Sequence, residues 1–446
     1  MSWEQIYNSR KVSAQEALCK IKDNDRVALG HACAEPEYLI QELVRMKDQF
    51  HNVELVQMLS LGNVDHCKPG LEEHFRLNTI FVGGNTMEAV AEGNADFTPV
   101  HFSEVPKLFC TELPLDAALV MVTPPDENGK VSLGVSVDYT KAAVENARIV
   151  IAQVNDQMPF TMGESTFDVE EIDYFVEKSS PLIEVPVPKL SPQVRQIGKN
   201  CARLVHDGDT IQLGIGAIPN AVLACLKDKK NIGIHTEMFS DGVMELVKAG
   251  VINNSKKVFH RGKMITSFVM GTRELYDFVN RNEDVLFFSI DYINNPWIIA
   301  QNDHFVSINS CVEVDLTGQV ASESIGFKQI SGVGGQVDFV RGAFMAENGT
   351  AIIAMQSTAN DDTISKIVPV LNKGATVTTN RTDVDYIVTE YGIAHLKGRT
   401  LKQRACALID IAHPAFREEL IKEFEKRYSC SYEEFRKSAA MRPSNF

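Results

Sequence analysis

The stretch VHDGDTIQLGIGAIP, residues 205–219, contains in order the signals that decide the fold. A polar turn, HDGD, precedes the run TIQL, whose alternation of polar and apolar residues is typical of a β-strand. The run ends in a loop that contains Gly214 and Gly216, and Pro219 then stands at a position suited to the first turn of a helix. The stretch therefore predicts a strand, a glycine loop and a helix, which is the repeating unit of an α/β fold.

A second stretch, IKDNDRVALGHACAEP at 21–36, shares the register of the first. Asp23 aligns with Asp207 and Asp25 with Asp209, and a leucine and a glycine that follow the turn also match. The second stretch reads in the same way, as a polar turn, a short strand, a loop and a helix. The correspondence predicts two similar α/β halves related by duplication.

Further strand-like and helix-like segments alternate along the chain. The strand-like runs are 53–59, 118–125, 148–154, 256–262, 285–290 and 351–355. Helix-like stretches such as PEYLIQELVRM and NAVLACLK lie between them, which predicts mostly parallel sheets flanked by helices. The stretch 177–200 contains four prolines and is the best linker candidate. We therefore expect two domains, 1–190 and 191–446.

The charge, the apolar runs and the cysteines of the chain indicate which partners it could bind and in which cellular compartment it lies. The formal net charge of −15 and the lack of a dense Lys/Arg stripe argue against nucleic acid. No run approaches the roughly 20 apolar residues of a membrane helix, and the first residues have no apolar signal core. Nine cysteines without a C-x-x-C motif are expected to be reduced thiols rather than a zinc site. These features predict a cytoplasmic protein without a membrane segment.

Two glycine loops are candidates for binding an anion or another close ligand. The loop that includes Gly214 and Gly216 opens a helix, whose free N–H groups can bind an oxyanion or a phosphate. It lacks the third glycine of a dinucleotide fingerprint and the Gly-Lys-Ser/Thr of a P-loop. The stretch 331–343 contains a second glycine cluster, which allows close approach of a ligand or a backbone. Each loop alone also fits ordinary turns.

Glu237 is the principal candidate for a reactive group. It follows the apolar run IGIH and precedes Ser240 and Asp241, which favour the start of a helix. In open α/β sheets, ligands bind beyond the carboxyl ends of the strands, which is where such a residue projects. Considered alone, Glu237 is either a solvated loop charge or the reactive carboxylate of an active site.

Other chemical signals are weaker. His31 and Cys33 have no partner at metal-ligand spacing, so their segment predicts a turn after a strand rather than a metal or nucleophile site. Glu35 is a second candidate carboxylate or simply a charge beside a proline. The chain contains neither G-x-S-x-G nor H-E-x-x-H, which are the usual motifs of serine hydrolases and zincins, so the sequence argues against both classes.

Four stretches together resemble the acetyl-CoA hydrolase/CoA-transferase family. They are LGIGAIPNAV (213–222), GIHTEMFSDGV (233–243), SGVGGQVDFVRGA (331–343) and VTEYGIAHLKGRTL (388–401). The resemblance runs nearly end to end, since GHACAEP, MVTPPDENG and AQVNDQMP are also similar to family segments. It implies a pair of NagB/RpiA-like CoA-transferase domains, each an open α/β sheet, in a homodimer or homotetramer.

The resemblance also implies an activity and the residues that carry it. The activity is transfer of CoA between a short-chain acyl-CoA and a carboxylic acid, such as 4-hydroxybutyrate or butyrate with acetate, through a glutamyl-CoA thioester. The glutamate of the family falls on Glu237. The CoA- and oxyanion-binding loops fall on Gly214, Ile215, Gly216, Ala217, Ile218, Gly332, Gly334, Gly335 and Gln336. Asn360 occupies a position for a CoA contact, although relatives commonly carry a lysine there.

This chemistry explains which motifs the sequence does not need. Each nucleophile, a carboxylate or the CoA thiolate, is already an anion, so no general base, metal or permanently bound cofactor is expected, and CoA enters as part of the substrate. Three alternatives stay open: an acyl-CoA hydrolase that uses the same site, a nucleotide-binding dehydrogenase and a non-catalytic acyl-CoA-binding protein. The missing third glycine argues against the dehydrogenase.

Overall fold

A computed structural model describes residues 1–438 of the chain. Its largest sheet lies in the N-terminal part and contains seven strands, all paired in parallel. In spatial order they are Tyr174–Glu177, Ile149–Val154, Ala117–Val122, Arg26–Leu29, Val53–Gln57, Phe75–Thr79 and Ala95–Phe97. The strand order reverses between Arg26–Leu29 and Ala117–Val122, which makes that gap the topological switch point of the sheet.

The C-terminal sheet contains six strands and has its own switch point. In spatial order they are Gly233–Ile234, Thr210–Leu213, Phe305–Ser310, Thr350–Ala354, Tyr386–Thr389 and Gly392–His395. The strands are parallel except for the last pair, which is antiparallel. The strand order reverses between Thr210–Leu213 and Phe305–Ser310, so the predicted glycine loop after Leu213 leaves the sheet at the switch point.

The two matching stretches of sequence form equivalent structures. The carboxylate of Asp25 accepts a hydrogen bond from the N–H of the residue three positions earlier, at 2.9 Å, and Asp209 does the same at 2.7 Å. Asp23 and Asp207 each accept a backbone N–H from the turn before the next strand of the same sheet, at 2.9 and 2.8 Å. The aspartates of both halves therefore fix the entrance to the first strand of each sheet, as the duplication predicts.

Helices cover the sheets, and short strands complete the loops. The helices are Trp3–Arg10, Ala14–Leu18, Glu37–Arg45, Met87–Glu92, Val105–Cys110, Thr140–Asn146, Pro192–Ala202, Ala217–Ala224, Asp241–Lys248, Arg273–Val279, Ile290–Ile293, Pro296–Ile299, Gln336–Met345, Leu401–Asp410, Pro414–Tyr428 and Tyr432–Ser438. The short strands are Lys130–Ser132, Met162–Gly163, Thr166–Asp168, Met238–Phe239, Met264–Thr266, Phe268–Val269, Val285–Phe287, Glu313–Asp315, Val320–Ala321, Ser324–Ile325, Lys328–Gln329, Thr358–Ala359, Ile364–Ser365 and Ile367–Val368. The arrangement is the α/β class that the alternation of segments predicts.

The period-two pattern of the first strand explains how one sheet serves two cores. Val27 and Leu29 point into a cluster with Leu39 and Leu43 of the helix Glu37–Arg45. Ala28, between them, points to the opposite face, into the large cluster that also contains residues of the C-terminal sheet. Burial on both faces accounts for the nearly continuous apolar character of such parallel strands. The large cluster is therefore a core that both sheets share.

Five of the six predicted strand-like runs contain a strand, but 256–262 does not. The run is wrong as a strand prediction because its backbone turns: His260 and Gly262 have φ values of 51° and 81°. The ammonium of Lys257 is buried and donates to the carbonyl oxygens of Ile234 and Lys263 at 2.8 and 2.7 Å. The segment is therefore a loop that packs beneath the strand Gly233–Ile234 rather than a further strand.

None of the helices within residues 1–438 combines the length and the apolar character that a membrane-spanning segment requires.

Candidate active site

A cavity of about 370 Å³ lies at the carboxyl ends of strands from both sheets. The N-terminal sheet contributes residues just past its strands, among them His31, Met58 and Phe81. The C-terminal sheet contributes Gly214 and Ser310, which lie at the ends of the two strands that flank its switch point. Because both sheets direct loop residues into one space, the cavity has the position expected of a ligand site in an α/β fold.

Glu237 lines this cavity and has a fixed backbone. Its carbonyl oxygen accepts hydrogen bonds from the N–H groups of Ser267 and Phe268, at 3.0 and 3.2 Å, and from the hydroxyl of Thr266 at 3.2 Å. Its carboxylate oxygen Oε2 accepts from Nδ2 of Asn294 at 2.6 Å. The side chain is half-buried. Glu237 is therefore a positioned carboxylate at a strand exit and not a solvated loop charge.

The surroundings make the carboxylate of Glu237 unusually basic. Burial raises the pKa of Glu237 to about 7, and the charges of Asp338 and Asp138 raise it as well. The amide of Asn294 and the backbone N–H of Gly335 oppose this effect, because each favours the ionised form. A carboxylate with this pKa is a stronger nucleophile than an ordinary glutamate and is still substantially ionised near neutral pH.

The structure gathers most of the residues of the two predicted loops around Glu237. The lining residues among them are Gly214, Ile215, Gly332, Gly334, Gly335 and Gln336. The side chain of Gln336 donates to the hydroxyls of Ser322 and Thr379, both at 2.9 Å, and this fixes the start of the helix Gln336–Met345. Parts of both glycine loops therefore lie in the same cavity as Glu237, and the roles assigned to these residues stay predictions.

Three loop residues and Asn360 lie away from the cavity wall. Gly216, Ala217 and Ile218 form the N-terminal end of the helix Ala217–Ala224 and are not among the residues that line the cavity. Gly216 is exposed and has a φ of 105°, a conformation that side chains rarely adopt. Asn360 is exposed in the turn between the strands Thr358–Ala359 and Ile364–Ser365. These positions suit contact with a part of a ligand that extends outside the cavity.

The second glycine loop is held by residues of the N-terminal half. The N–H of Phe102 donates to the carbonyl oxygen of Gly334 at 3.1 Å. The carboxylate of Asp338 accepts from the hydroxyl of Ser103 at 3.0 Å and from its N–H at 3.3 Å. Burial raises the pKa of Asp338 to about 7, opposed by these bonds and by the amide of Asn294. Asn294 therefore interacts with two carboxyl groups, that of the half-buried Glu237 and that of the buried Asp338.

Local sequence reasoning missed four residues of this environment: His31 as a cavity residue, and Asp138, Asn294 and Asp338 altogether. The ring of His31 lines the cavity, and its Nδ1 lies 3.0 Å from Oδ2 of Asp138. The partner is 107 positions away, so no motif spacing contains the pair. Only the parallel order of the strands brings these segments together.

Glu35 and Cys33 are buried and do not line the cavity. The carboxylate of Glu35 accepts from the hydroxyl of Ser60 and from the N–H groups of Leu61 and Gly62, at 3.0–3.1 Å. Burial raises the pKa of Glu35 and raises the pKa of the Cys33 thiol to about 12. Glu35 thus anchors the loop after the strand Val53–Gln57, and Cys33 is an unreactive core thiol.

Within residues 1–438, no group of three or more His, Cys, Asp or Glu side chains is arranged to hold a metal ion.

The fold and the site define an α/β protein with two large, mostly parallel sheets and a cavity between their loops that holds a half-buried, hydrogen-bonded glutamate. The chain belongs to the acetyl-CoA hydrolase/transferase family. The description of the family's N-terminal domain matches residues 1–187, and that of its C-terminal domain matches residues 271–424. This confirms the resemblance that the four motif stretches indicate.

Named relatives match over nearly the whole chain. A 4-hydroxybutyrate coenzyme A transferase from Clostridium kluyveri is 57% identical over 429 residues, which cover 96% of this chain and 100% of the relative. A succinyl-CoA:cyclohexane-1-carboxylate CoA transferase from Geobacter metallireducens is 42% identical and covers 94% of this chain and 96% of its own. The crystal structure of a 4-hydroxybutyrate CoA-transferase from Porphyromonas gingivalis superposes with a TM-score of 0.83 at 44% identity, covering 96% of this chain and 100% of that one.

Proposed function

We propose that this chain is a CoA-transferase that exchanges CoA between a short-chain acyl-CoA, first of all 4-hydroxybutyryl-CoA, and a carboxylate such as acetate. The observation that carries the proposal is the carboxylate of Glu237, which projects into the cavity and accepts a 2.6 Å hydrogen bond from Asn294. The similarity to two enzymes named 4-hydroxybutyrate CoA-transferase supports the choice of acyl group. Butyryl-CoA is the alternative donor.

The proposed reaction needs only displacements at carbonyl carbon. A carboxylate oxygen of Glu237 attacks the thioester carbonyl, and the CoA thiolate leaves, which produces a mixed anhydride. The thiolate then attacks the glutamyl carbonyl, forms the glutamyl-CoA thioester and releases the donor acid as a carboxylate. Acetate repeats these steps in reverse, so atoms and charge balance without an oxidant, a reductant or a proton donor.

The glycine loops have a clear task in these displacements. Negative charge develops on a carbonyl oxygen in each tetrahedral state, and fixed backbone N–H groups stabilise it by about 3–4 kcal/mol per donor in other enzymes. We assign this role to Gly214 and Gly335, and their place in the lining of the cavity that contains Glu237 supports the assignment. We assign the segment 216–218, of which Gly216 is exposed, and the exposed Asn360 to the long CoA moiety, which extends beyond a cavity of about 370 Å³. Such remote contacts supply binding energy that the reacting atoms use.

Trapping the covalent intermediate tests the proposal directly. The enzyme is incubated with acyl-CoA in the absence of an acceptor, and peptide mass spectrometry locates the CoA adduct. We expect the adduct on the peptide that contains Glu237, no adduct in Glu237→Gln, and a normal adduct in the control Glu127→Gln, which changes an exposed glutamate. An adduct on a cysteine, or normal turnover of Glu237→Gln, would rule out the mechanism.

The same incubation separates transferase from hydrolase. A transferase releases free CoA slowly when no acid is present and forms acetyl-CoA rapidly when acetate is added. A hydrolase, the alternative within this family, releases CoA at a rate that acetate does not increase. Measuring free thiol with and without acetate therefore decides whether water or a carboxylate resolves the intermediate.

We also propose that the chain divides into domains near residue 190 and assembles as a homodimer or homotetramer. The end of the N-terminal family match at residue 187 supports the boundary. Residues 181–190 have no helix or strand, which makes them the expected site of limited proteolysis. The family resemblance supports the homo-oligomer, and sedimentation equilibrium measures its size.

A further inference from the structure

His31 is a buried polar side chain on the wall of the cavity, and its ring is held in one orientation. The side chain is 1% exposed, and its Nδ1 lies 3.0 Å from Oδ2 of Asp138 and 3.3 Å from the hydroxyl of Ser136. The rings of Phe268 and Phe102 meet it edge-on, with centroid distances of 4.7 and 5.8 Å. These contacts fix the ring from two sides and along one edge.

The partners of Asp138 determine which nitrogen of His31 is free. Oδ1 of Asp138 accepts from the N–H and the hydroxyl of Thr140 at 3.2 and 3.1 Å, so the carboxylate is supplied with donors and acts as an acceptor. When the ring of His31 is neutral, Nδ1 therefore carries the proton that Oδ2 accepts and Nε2 is an acceptor. Within residues 1–438, Nε2 makes no hydrogen bond with a protein group. A cavity-lining ring thus presents an unused acceptor.

His31 stands out among the cavity residues that the N-terminal sheet contributes. The others are Met58, Leu59, Phe81 and Phe102, all apolar. Phe268 connects this wall with the reactive group, because its ring packs on His31 while its N–H donates to the carbonyl oxygen of Glu237 at 3.2 Å. Among these lining residues of the N-terminal half, His31 therefore has the one polar side chain that this wall offers to a short acyl chain attached at Glu237.

We propose that His31 is the acyl-specificity residue, whose Nε2 accepts a hydrogen bond from a hydroxyl at the far end of a short acyl chain. The inference rests on the proposed function and names its substrate class, the ω-hydroxyacyl thioesters. A chain that ends in a methyl group leaves the buried acceptor unpaired, which a site built for a hydrogen bond rejects. A chain that ends in a carboxylate is repelled, because a carboxylate cannot donate a hydrogen bond to Nε2 and because Asp138, on the other side of the ring, is also negatively charged.

Three acyl-CoA donors with acetate as the acceptor test this assignment. The wild-type kcat/KM is expected to favour 4-hydroxybutyryl-CoA over butyryl-CoA by at least tenfold, and butyryl-CoA over succinyl-CoA. In His31→Phe, the preference for the hydroxyl is expected to fall by at least tenfold, through loss on the hydroxyacyl donor with butyryl-CoA turnover within about threefold of wild type. His31→Gln, which offers an amide in place of the ring nitrogen, is expected to keep part of the preference.

A neighbouring variant and a folding measurement separate specificity from structure. Cys33→Ala changes a buried residue of the same loop that does not line the cavity, and it should leave the ratio between donors unchanged. Thermal unfolding reports whether His31→Phe folds, and if it does not, His31→Gln alone decides, because its ratio must still fall below that of the wild type. Equal losses on all three donors, or an unchanged ratio, would overturn the assignment.

The trapping experiment distinguishes failure of the role assigned to His31 from failure of the proposed function. If Glu237 forms the CoA adduct and the His31 variants keep the wild-type ratio, only the role of His31 is overturned. If Glu237 forms no adduct in the wild type, the mechanism itself fails, whatever the His31 variants do. A wild-type preference for butyryl-CoA would also overturn the assignment while leaving the transferase activity intact.

Discussion

Gly335 lies directly against the carboxylate of Glu237: a Cβ built on Gly335 would come within 2.1 Å of Glu237 Oε2. The same Cβ would lie 2.3 Å from Nδ2 of Asn294, which donates to that oxygen. Both distances are far shorter than any real Cβ contact. The absence of a side chain at Gly335 lets its backbone approach the carboxylate of Glu237 closely, and the φ of −94° at Gly335 is not a left-handed conformation.

We therefore predict that Gly335→Ala lowers kcat at least 100-fold, because the methyl group displaces the carboxylate of Glu237 or separates it from Asn294. The helix Gln336–Met345 begins at the next residue, and its own bonds through Gln336 should keep the fold intact. Steady-state kinetics and circular dichroism measure the two effects. Gly84→Ala is the matched control, since nothing lies within 4 Å of its Cβ position. Wild-type activity of Gly335→Ala would contradict the close approach.

The pH dependence of the first half-reaction should report the ionisation of Glu237. Only the carboxylate attacks the thioester, and burial raises its pKa to about 7, so the rate of adduct formation is expected to rise with pH up to about 7 and then level off. Single-turnover measurements between about pH 5 and pH 9 record this rising part of the pH–rate profile, the acidic limb. A limb centred near the ordinary glutamate value would show that Glu237 is not held in a desolvated environment.

Asn294→Ala should move this limb to higher pH, because the amide favours the ionised form of Glu237 and lowers its pKa. The plateau rate is expected to fall about tenfold as the carboxylate loses its 2.6 Å hydrogen bond. Asn295→Ala is the control: its side chain accepts from the N–H of Trp297 at the start of a short helix. That variant should keep the wild-type limb. A limb that moves to lower pH in Asn294→Ala would contradict the assigned hydrogen bond.

The carboxyl groups of Glu237 and Asp338, whose pKa values are raised, should make the protein less stable as pH rises. The folded pKa values of Glu237 and Asp338 are both raised to about 7, from ordinary values of 4.5 and 3.8. Between about pH 4 and pH 7 the folded chain therefore keeps protons that the unfolded chain has lost, and the free energy of unfolding falls across that range. The stabilising contribution is fully present below the unfolded pKa values and is lost as pH rises through about 7.

We predict that Glu237→Gln and Asp338→Asn are each more stable than the wild type above about pH 7, by on the order of 1–3 kcal/mol, and equally stable near pH 4. Chemical unfolding at several pH values measures the difference. The control Glu127→Gln changes an exposed side chain and should follow the wild-type curve. Loss of stability at high pH in both variants would contradict the direction of the pKa shifts. For Glu237→Gln, the expected gain in stability accompanies complete loss of transfer.

The sequence predicts the elements of this site better than its contacts. Local sequence patterns predict the strand before Gly214 and the position of Glu237 at a strand exit, because both features depend on neighbouring residues. Asn294 is 57 positions from Glu237 and lies in a segment without a motif, so only the folded chain brings the two together. The pairing of His31 with Asp138 is equally non-local, and the spacing around His31 alone indicates a turn.

The failed strand prediction has a similar cause. KKVFHRG contains the strand-favouring pair Val258 and Phe259, yet the buried Lys257 donates to two carbonyl oxygens and the backbone turns at His260. A lysine is a poor predictor of burial because its burial depends on acceptors that other segments supply. Paired acceptors from the strand Gly233–Ile234 and from Lys263 decide its place, and neither can be read from the pattern of the run itself.

The backbone at Gly216 gives a final prediction that separates ligand binding from strain. Gly216 has a φ of 105° and open space around it, so Gly216→Ala strains the backbone without a steric clash. Gly262 is matched to it, with a φ of 81°, open space and an exposed position in another loop. Both alanine variants should lose about 1–2 kcal/mol of stability. Only Gly216→Ala should raise the KM for acyl-CoA, by at least tenfold, since it distorts the loop that we assign to CoA. Equal KM values in the two variants would place the CoA moiety elsewhere.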